Sequence, residues 1–261
     1  MSEANAGTVR YERRGSRADI TFDRAAARNA LTWSMYEQLD AALDRAKAEE
    51  GLRVVVLCGA NGHFAAGTDI SQFTSFSSAD DGLQYERRLE AVVAKLESLP
   101  LATIAVVEGA AVGGGLALAT ACDLRICTPS ARFGVPIART VGNCLSVRNL
   151  ARLSATLGTS RTTRLLFTAE LMDAAEAKAA GYVIEVVEAP ALDARVDVLA
   201  TTLASHAPIT LQVTKEAIRR IVDALAAADS DDLVRRAYGS RDFREGVSAF
   251  VERRTPEWEG R

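Results

Sequence analysis

Residues 103–128 read TIAVVEGAAVGGGLALATACDLRICT. Thr103–Val107 is an unbroken apolar run of strand type, a turn follows, then Gly113-Gly114-Gly115, a helical segment Leu116–Ala121 and a second strand, Leu124–Ile126. Glycine costs roughly 1 kcal/mol against alanine inside a helix, so three at a strand-to-helix corner need a reason. Close helix–sheet packing is one. The other is a site: uncovered N–H groups at a helix start can receive a carbonyl or an anion.

A second stretch repeats the arrangement. Arg53–Cys58 (RVVVLC) is a continuous apolar strand of the kind covered on both faces, and the loop after it holds Ala66-Gly67-Thr68. Two backbone N–H groups converging on one carbonyl oxygen form an oxyanion hole, and such a donor is worth about 2.7–4 kcal/mol to a transition state.

The rest of the chain supplies strands and helices around these two loops. Val9–Arg13 and Ala18–Phe22 read as a hairpin turning at Gly15-Ser16. Ser34 to Glu37 fits a capping box, with Met35, Leu39, Ala42, Leu43 and Ala46 as the apolar stripe of the helix it opens. Residues 71–82 (SQFTSFSSADDG) read as a mobile, pocket-covering loop with exposed phenylalanines, and a helix is expected from Leu83 to Ser98. Helical segments follow at about 146–157, 160–167 and 173–180, then a strand at Tyr182–Val187. From Ala191 the pattern is helical, broken at Pro208 and at 229–232. The expected organisation is an α/β core over 1–190 and a helical region over 191–261.

Composition narrows the function. The chain of 261 residues is 48% hydrophobic and 25% charged with net charge −3, and it has no Lys/Arg block, which argues against a nucleic-acid partner. Without a long apolar run or a leader-like N-terminus, no membrane span is expected and a cytoplasmic location is. The four cysteines (Cys58, Cys122, Cys127, Cys144) have no C-x-x-C spacing, and with two histidines no metal site is expected. G-x-S-x-G and G-x-x-x-x-G-K-[ST] are both absent, and Leu118 occupies the third glycine position of G-x-G-x-x-G.

Four landmarks in order, HFAAGTDI, GAAVGGGLALATACDLRI, FG-x-P at Phe133–Pro136 and REGVSAFVERRTPEWEGR, resemble the crotonase (enoyl-CoA hydratase/isomerase) superfamily. The resemblance runs from about Val9 to Arg261. It implies a spiral of ββα repeats with C-terminal helices that build a homotrimer or a hexamer, and fatty acid metabolism as the setting. It implies an acyl-CoA thioester as substrate, with no cofactor besides that coenzyme A. The oxyanion donors would be the N–H groups of Thr68 and Gly114. Ala30, Ala66 and Thr68 match positions that hold adenine, Ile70 and Ile137 fall among substrate-contacting positions, and Phe250 and Arg253 match positions that touch CoA. Arg28 is a phosphate partner or a solvated surface arginine, and Ser71 stands where a lysine often meets the CoA phosphate.

The resemblance also exposes a loss. The two glutamates that hydrate an enoyl thioester fall on Ala117 and Ile137, neither of which can carry a proton. Asp69 is one replacement, although an aspartate after such a loop is commonly a cap. Cys144 is another, because Gly142-Asn143-Cys144 resembles the G-N-D nucleophile segment of the family's 4-chlorobenzoyl-CoA dehalogenases, with Arg139 or Arg148 available to lower its pKa. Glu86 and Glu90, a turn apart, read as a solvated helix face. Hydratase, isomerase, thioester hydrolase, dehalogenase-like enzyme and non-catalytic acyl-CoA binder all remain open.

Overall fold

The computed structural model describes residues 6–261. Strands β1 (Thr8–Arg14) and β2 (Arg17–Asp23) form the expected hairpin. Beside β2 run β3 (Val54–Gly59), β4 (Ala102–Val107), β6 (Leu124–Cys127) and β9 (Glu185–Val186), giving a six-stranded sheet in the order β1-β2-β3-β4-β6-β9, parallel after its first pair. A second sheet joins β5 (Ala110–Val112), β7 (Arg132–Gly134) and β8 (Met172–Asp173). Val54 to Leu57 and Ile104 to Val107 are buried throughout, as strands covered on both faces must be.

Helix α1 (Trp33–Ala48) packs its stripe of Met35, Leu39, Leu43 and Ala46 against β1 and β2. Its cap is Thr32, whose hydroxyl accepts from the Met35 N–H, so the expected start at Ser34 is two residues late. Helix α2 (Ala79–Glu97) follows a 3-10 turn over Ile70–Ser75, and α3 (Gly114–Ala121) is buried along its whole length. After α4 (Ile137–Thr140) come α5 (Val147–Leu157), α6 (Thr159–Thr168) and α7 (Ala174–Ala179). The C-terminal region is α8 (Ala189–Ser205), α9 (Pro208–Leu225), α10 (Asp231–Tyr238) and α11 (Arg241–Glu252).

Two expectations fail for one reason. The phenylalanines of residues 71–82 are not exposed: Phe73 is 4% exposed, and Phe76 packs at 5.0 Å from it, centroid to centroid. Both rings join Trp33, Tyr85, Tyr238 and Phe243 in one aromatic cluster, which the polar residues around them in sequence hide. The strand expected at Tyr182–Val187 shrinks to Glu185–Val186, because Tyr182 instead fills the core against Phe133.

Candidate active site

The second sheet builds the site. Ala65 pairs with Ala111 across a parallel bridge, its N–H donating to the Ala110 carbonyl and its own carbonyl accepting from Val112. This lays the loop after β3 beside the loop after β4. On its other side, the Leu31 N–H donates to the Gly67 carbonyl and the Asp69 N–H to the Leu31 carbonyl. These bonds flank Thr68 and leave its N–H outside the pairing.

Gly113 has φ +53°, a conformation that side chains disfavour, and it hands the chain into α3. Gly114 is the first residue of α3, so its N–H has no acceptor within the helix. A Cβ built on Gly114 would lie 2.5 Å from the Tyr36 hydroxyl, 3.1 Å from Thr68 Oγ1 and 3.8 Å from the Thr68 nitrogen. A side chain there would displace the Tyr36 hydroxyl, and the Gly114 corner packs against Thr68.

Both residues border a cavity of about 170 Å³ between α2, α3, α4 and α11. Ala66, Ile70, Ala117, Ile137 and Phe250 also line it. Ala117 and Ile137 thus present a methyl and a branched alkyl group to the space where a resemblance to hydratases places carboxylates. A larger hollow, about 300 Å³, lies against α9, but its Lys215 is already paired with Asp123 and it holds none of the N–H groups described here.

Thr68 is anchored by a chain of hydroxyls. Its Oγ1 lies 2.7 Å from the Tyr36 hydroxyl and 2.8 Å from that of Tyr85. Burial pushes both phenols above their ordinary range, so they stay protonated and neutral.

The segment expected to hold CoA is assembled by backbone. Ala66 donates to the Arg28 carbonyl at 3.1 Å, which sets residues 28–31 alongside 66–68. Arg28 and Asn29 both have positive φ, and the turn is held by buried Asn29, whose amide donates to the Ala60 and His63 carbonyls. Asn29 was not foreseen. The Arg28 side chain is exposed. Phe250 and Arg253 lie on and just after α11, the first bordering the cavity and the second in the left-handed conformation that ends the helix.

The two replacement proton carriers are placed elsewhere. Asp69 caps the 3-10 turn, accepting from the Ser71 N–H and hydroxyl, and pairs with Arg24 at 2.8 Å. Burial alone would raise its carboxyl, but the Ser71 and Arg24 bonds hold it below the usual range. It does not border the cavity. Burial pushes the Cys144 thiol up to about 12, with the charge of Glu86 adding to the effect. The arginine expected to counter this, Arg148, is engaged by Glu90 at 2.9 Å and Asp223 at 2.6 Å, and Arg139 is exposed.

Glu86 is where the reading of α2 needs correction. It is 3% exposed and borders the cavity, on the same face as Leu83, Leu89 and Val93. The Tyr238 hydroxyl donates to Oε1 at 2.7 Å, and Asn143 Nδ2 donates to that hydroxyl at 2.9 Å. Oε2 has no partner among the described residues. Burial pushes the carboxyl up to about 7, with the Tyr238 bond and the nearby Ser146 N–H pulling the other way. The sequence did carry a signal: Leu83, Glu86, Leu89 and Val93 follow helical spacing along the buried stripe.

The chain is similar to known proteins over nearly all of its length. Residues 12–261 match the family model of enoyl-CoA hydratase/isomerase. The mitochondrial enoyl-CoA hydratase domain-containing protein 2 of Bos taurus is 34% identical over 251 residues, covering 93% of this chain and 84% of the relative. The 2,3-dehydroadipyl-CoA hydratase of Escherichia coli is 32% identical over 245 residues, covering 93% and 94%. Among solved structures, a methylmalonyl-CoA decarboxylase in complex with 2-nitronate-propionyl-CoA matches with TM-score 0.88 and 27% identity, covering 97% of this chain and 98% of the other. An enoyl-CoA hydratase/carnitine racemase from Magnetospirillum magneticum matches with TM-score 0.79 and 31% identity, covering 97% and 96%. On its fold, its paired loops and these matches, the chain belongs to the enoyl-CoA hydratase/isomerase family of the crotonase superfamily.

Proposed function

We propose that this protein transforms an acyl-CoA thioester through an enolate, moving a proton at the carbon next to the thioester rather than adding water across a double bond. The cavity supports this reading: Thr68 and Gly114, whose backbone N–H groups lie outside the sheet and helix pairing, both border it beside alkyl groups at 117 and 137. The N–H pair would take the thioester oxygen as negative charge develops on it, each donor contributing about 10²–10³-fold. Ala117 and Ile137 offer nothing to activate water, so a double-bond isomerisation suits the site better than hydration. Ala30, Ala66 and Ile70, with Phe250, Arg253 and Arg28, would hold the thioester and its CoA. The reading needs no cofactor beyond that CoA.

A second reading, loss of CO2 from a 2-carboxyacyl-CoA, is favoured by the TM-score of 0.88 with a methylmalonyl-CoA decarboxylase. It yields the same enolate, and an apolar lining raises the energy of the carboxylate that departs.

The test incubates the full-length protein with crotonyl-CoA, a 3-enoyl-CoA, a 2-carboxyacyl-CoA and a saturated acyl-CoA, and follows products by HPLC. Conversion of the 3-enoyl to the 2-enoyl thioester, much faster than crotonyl-CoA hydration, is expected. Hydration at equal or greater rate overturns the reading. Free-acid release from the saturated thioester would make the protein a hydrolase instead. Tight CoA binding with no turnover at all would make it a non-catalytic binder.

A further inference from the structure

We propose that Glu86, reaching the cavity from α2, is the proton carrier that stands in for the two missing glutamates. The inference rests on the enolate reading above and adds the residue that makes the enolate. Glu86 is the one carboxylate among the described residues bordering the cavity that also holds Thr68 and Gly114. The other candidates fail on geometry: Asp69 is tied to Arg24 and Ser71 outside the cavity, and Cys144 is a half-buried thiol outside the lining. Tyr85 and Tyr238 keep their protons far above neutral pH.

The surroundings of Glu86 look like a device for holding a proton ready. A buried carboxylate oxygen without a donor is costly, and native proteins rarely carry one without a use. Oε2 makes no hydrogen bond among the described residues, with the Ser146 N–H standing near the carboxyl, while Oε1 is fixed by Tyr238, which is itself fixed by Asn143. Asn143 belongs to the Gly142-Asn143-Cys144 segment singled out in the sequence. Its role in this arrangement is to position, through Tyr238, the acid that acts. Burial brings the carboxyl to about 7, so both protonation states are populated near neutrality, the condition a general acid–base needs.

The step balances without a further reactant. For a 3-enoyl thioester, the carboxylate takes a proton from C2. The C–H electron pair moves into the thioester, giving a dienolate whose oxygen lies at the Thr68 and Gly114 N–H groups. The carboxylic acid then returns the proton to C4, and the double bond has moved from C3–C4 to C2–C3. In decarboxylation the same acid protonates C2 after CO2 leaves.

The charged and titratable groups facing Glu86 are Tyr238 from α10, Tyr85 and Glu90 from its own helix, and Cys144 from the loop before α5. Glu90 is neutralised by Arg148 and Arg152. The low-pH limb of kcat/KM therefore belongs to Glu86 itself.

The experiment compares wild type with Glu86→Gln, Glu86→Asp and Tyr238→Phe in turnover, acyl-CoA binding by calorimetry and pH profile. Glu86→Gln, which keeps shape and burial, is expected to lose about 10²–10⁴-fold in kcat while acyl-CoA affinity changes less than threefold. Glu86→Asp should recover part of the loss. Tyr238→Phe removes a donor that favours the charged form, so it should move the low-pH limb of kcat/KM to higher pH. Retention of kcat within threefold in Glu86→Gln overturns the inference and leaves the enolate reading standing. A loss confined to affinity overturns it equally. A wild type that binds no acyl-CoA overturns both.

Discussion

Glu86 couples the site to the stability of the fold. Its carboxyl is raised to about 7 in the folded protein, so the folded state keeps this proton where the unfolded chain has released it. The stabilisation is therefore complete below the unfolded value near 4.5 and is lost as pH rises toward about 7. A shift of that size amounts to about 3 kcal/mol, as an order of magnitude for a fully buried group. Glu86→Gln carries no charge in either state. It should melt several degrees above wild type at pH 8 and at nearly the same temperature at pH 4. Melting curves at the two pH values check this, and equal melting at pH 8 would show that the carboxylate bears no burial penalty. Glu86 was hidden in the sequence by its type. A glutamate on a helix is ordinarily solvated, although its spacing sets this one on the stripe of Leu83 and Leu89.

At the scale of elements, the corner where β5 meets α3 and the seam between α2 and α5 each make a claim. A methyl at position 114 would crowd the Tyr36 hydroxyl at 2.5 Å and Thr68 Oγ1 at 3.1 Å, moving the two N–H groups apart. Gly114→Ala should cost about 10²-fold in turnover with folding retained, as steady-state kinetics and circular dichroism would show. At the seam, Arg152 of α5 is 3% exposed and bonded to Glu90 at 2.5 Å and Glu97 at 2.9 Å, both on α2. Arg152→Ala leaves Glu90 and Glu97 to Arg148 alone, at 2.9 and 3.6 Å, and should destabilise by about 3 kcal/mol, the lower end for a broken buried pair, measured by urea unfolding. The apolar strands and the glycine triplet were legible because buried parallel strands and helix-opening glycines leave strong local patterns. Strand β5, three residues long, was not, and neither was the choice of Thr32 over Ser34 as a cap. Both are decided by tertiary pairing: β5 by its partner Arg132–Gly134, the cap by where α1 meets the sheet.

The whole molecule presents a face that a lone chain does not explain. Ile209, Val213, Ile218, Ile221 and Leu225 of α9 are each more than half exposed. Apolar clustering of that kind marks an association surface. A mass of three chains, or six, is expected in light scattering, and Ile218→Glu with Ile221→Glu should shift it toward one; a wild type already monomeric would refute the assignment. Among the described residues, no helix is long and apolar enough to cross a membrane. The family was readable from sequence because four motifs fall in order along the chain. The chemistry was not, because it depends on which side chains reach one cavity from α2, α3 and α4. The central claim is that this cavity makes a thioester enolate using one protein carboxylate. Its most direct test is hydrogen exchange: a saturated acyl-CoA is incubated in D2O with wild type and with Glu86→Gln, and deuterium at C2 is read by mass spectrometry. Deuterium uptake is expected with wild type and at least a hundredfold slower uptake with the variant, about the lower bound for a positioned base. Equal uptake by both proteins, or none by wild type that binds the thioester, would contradict it.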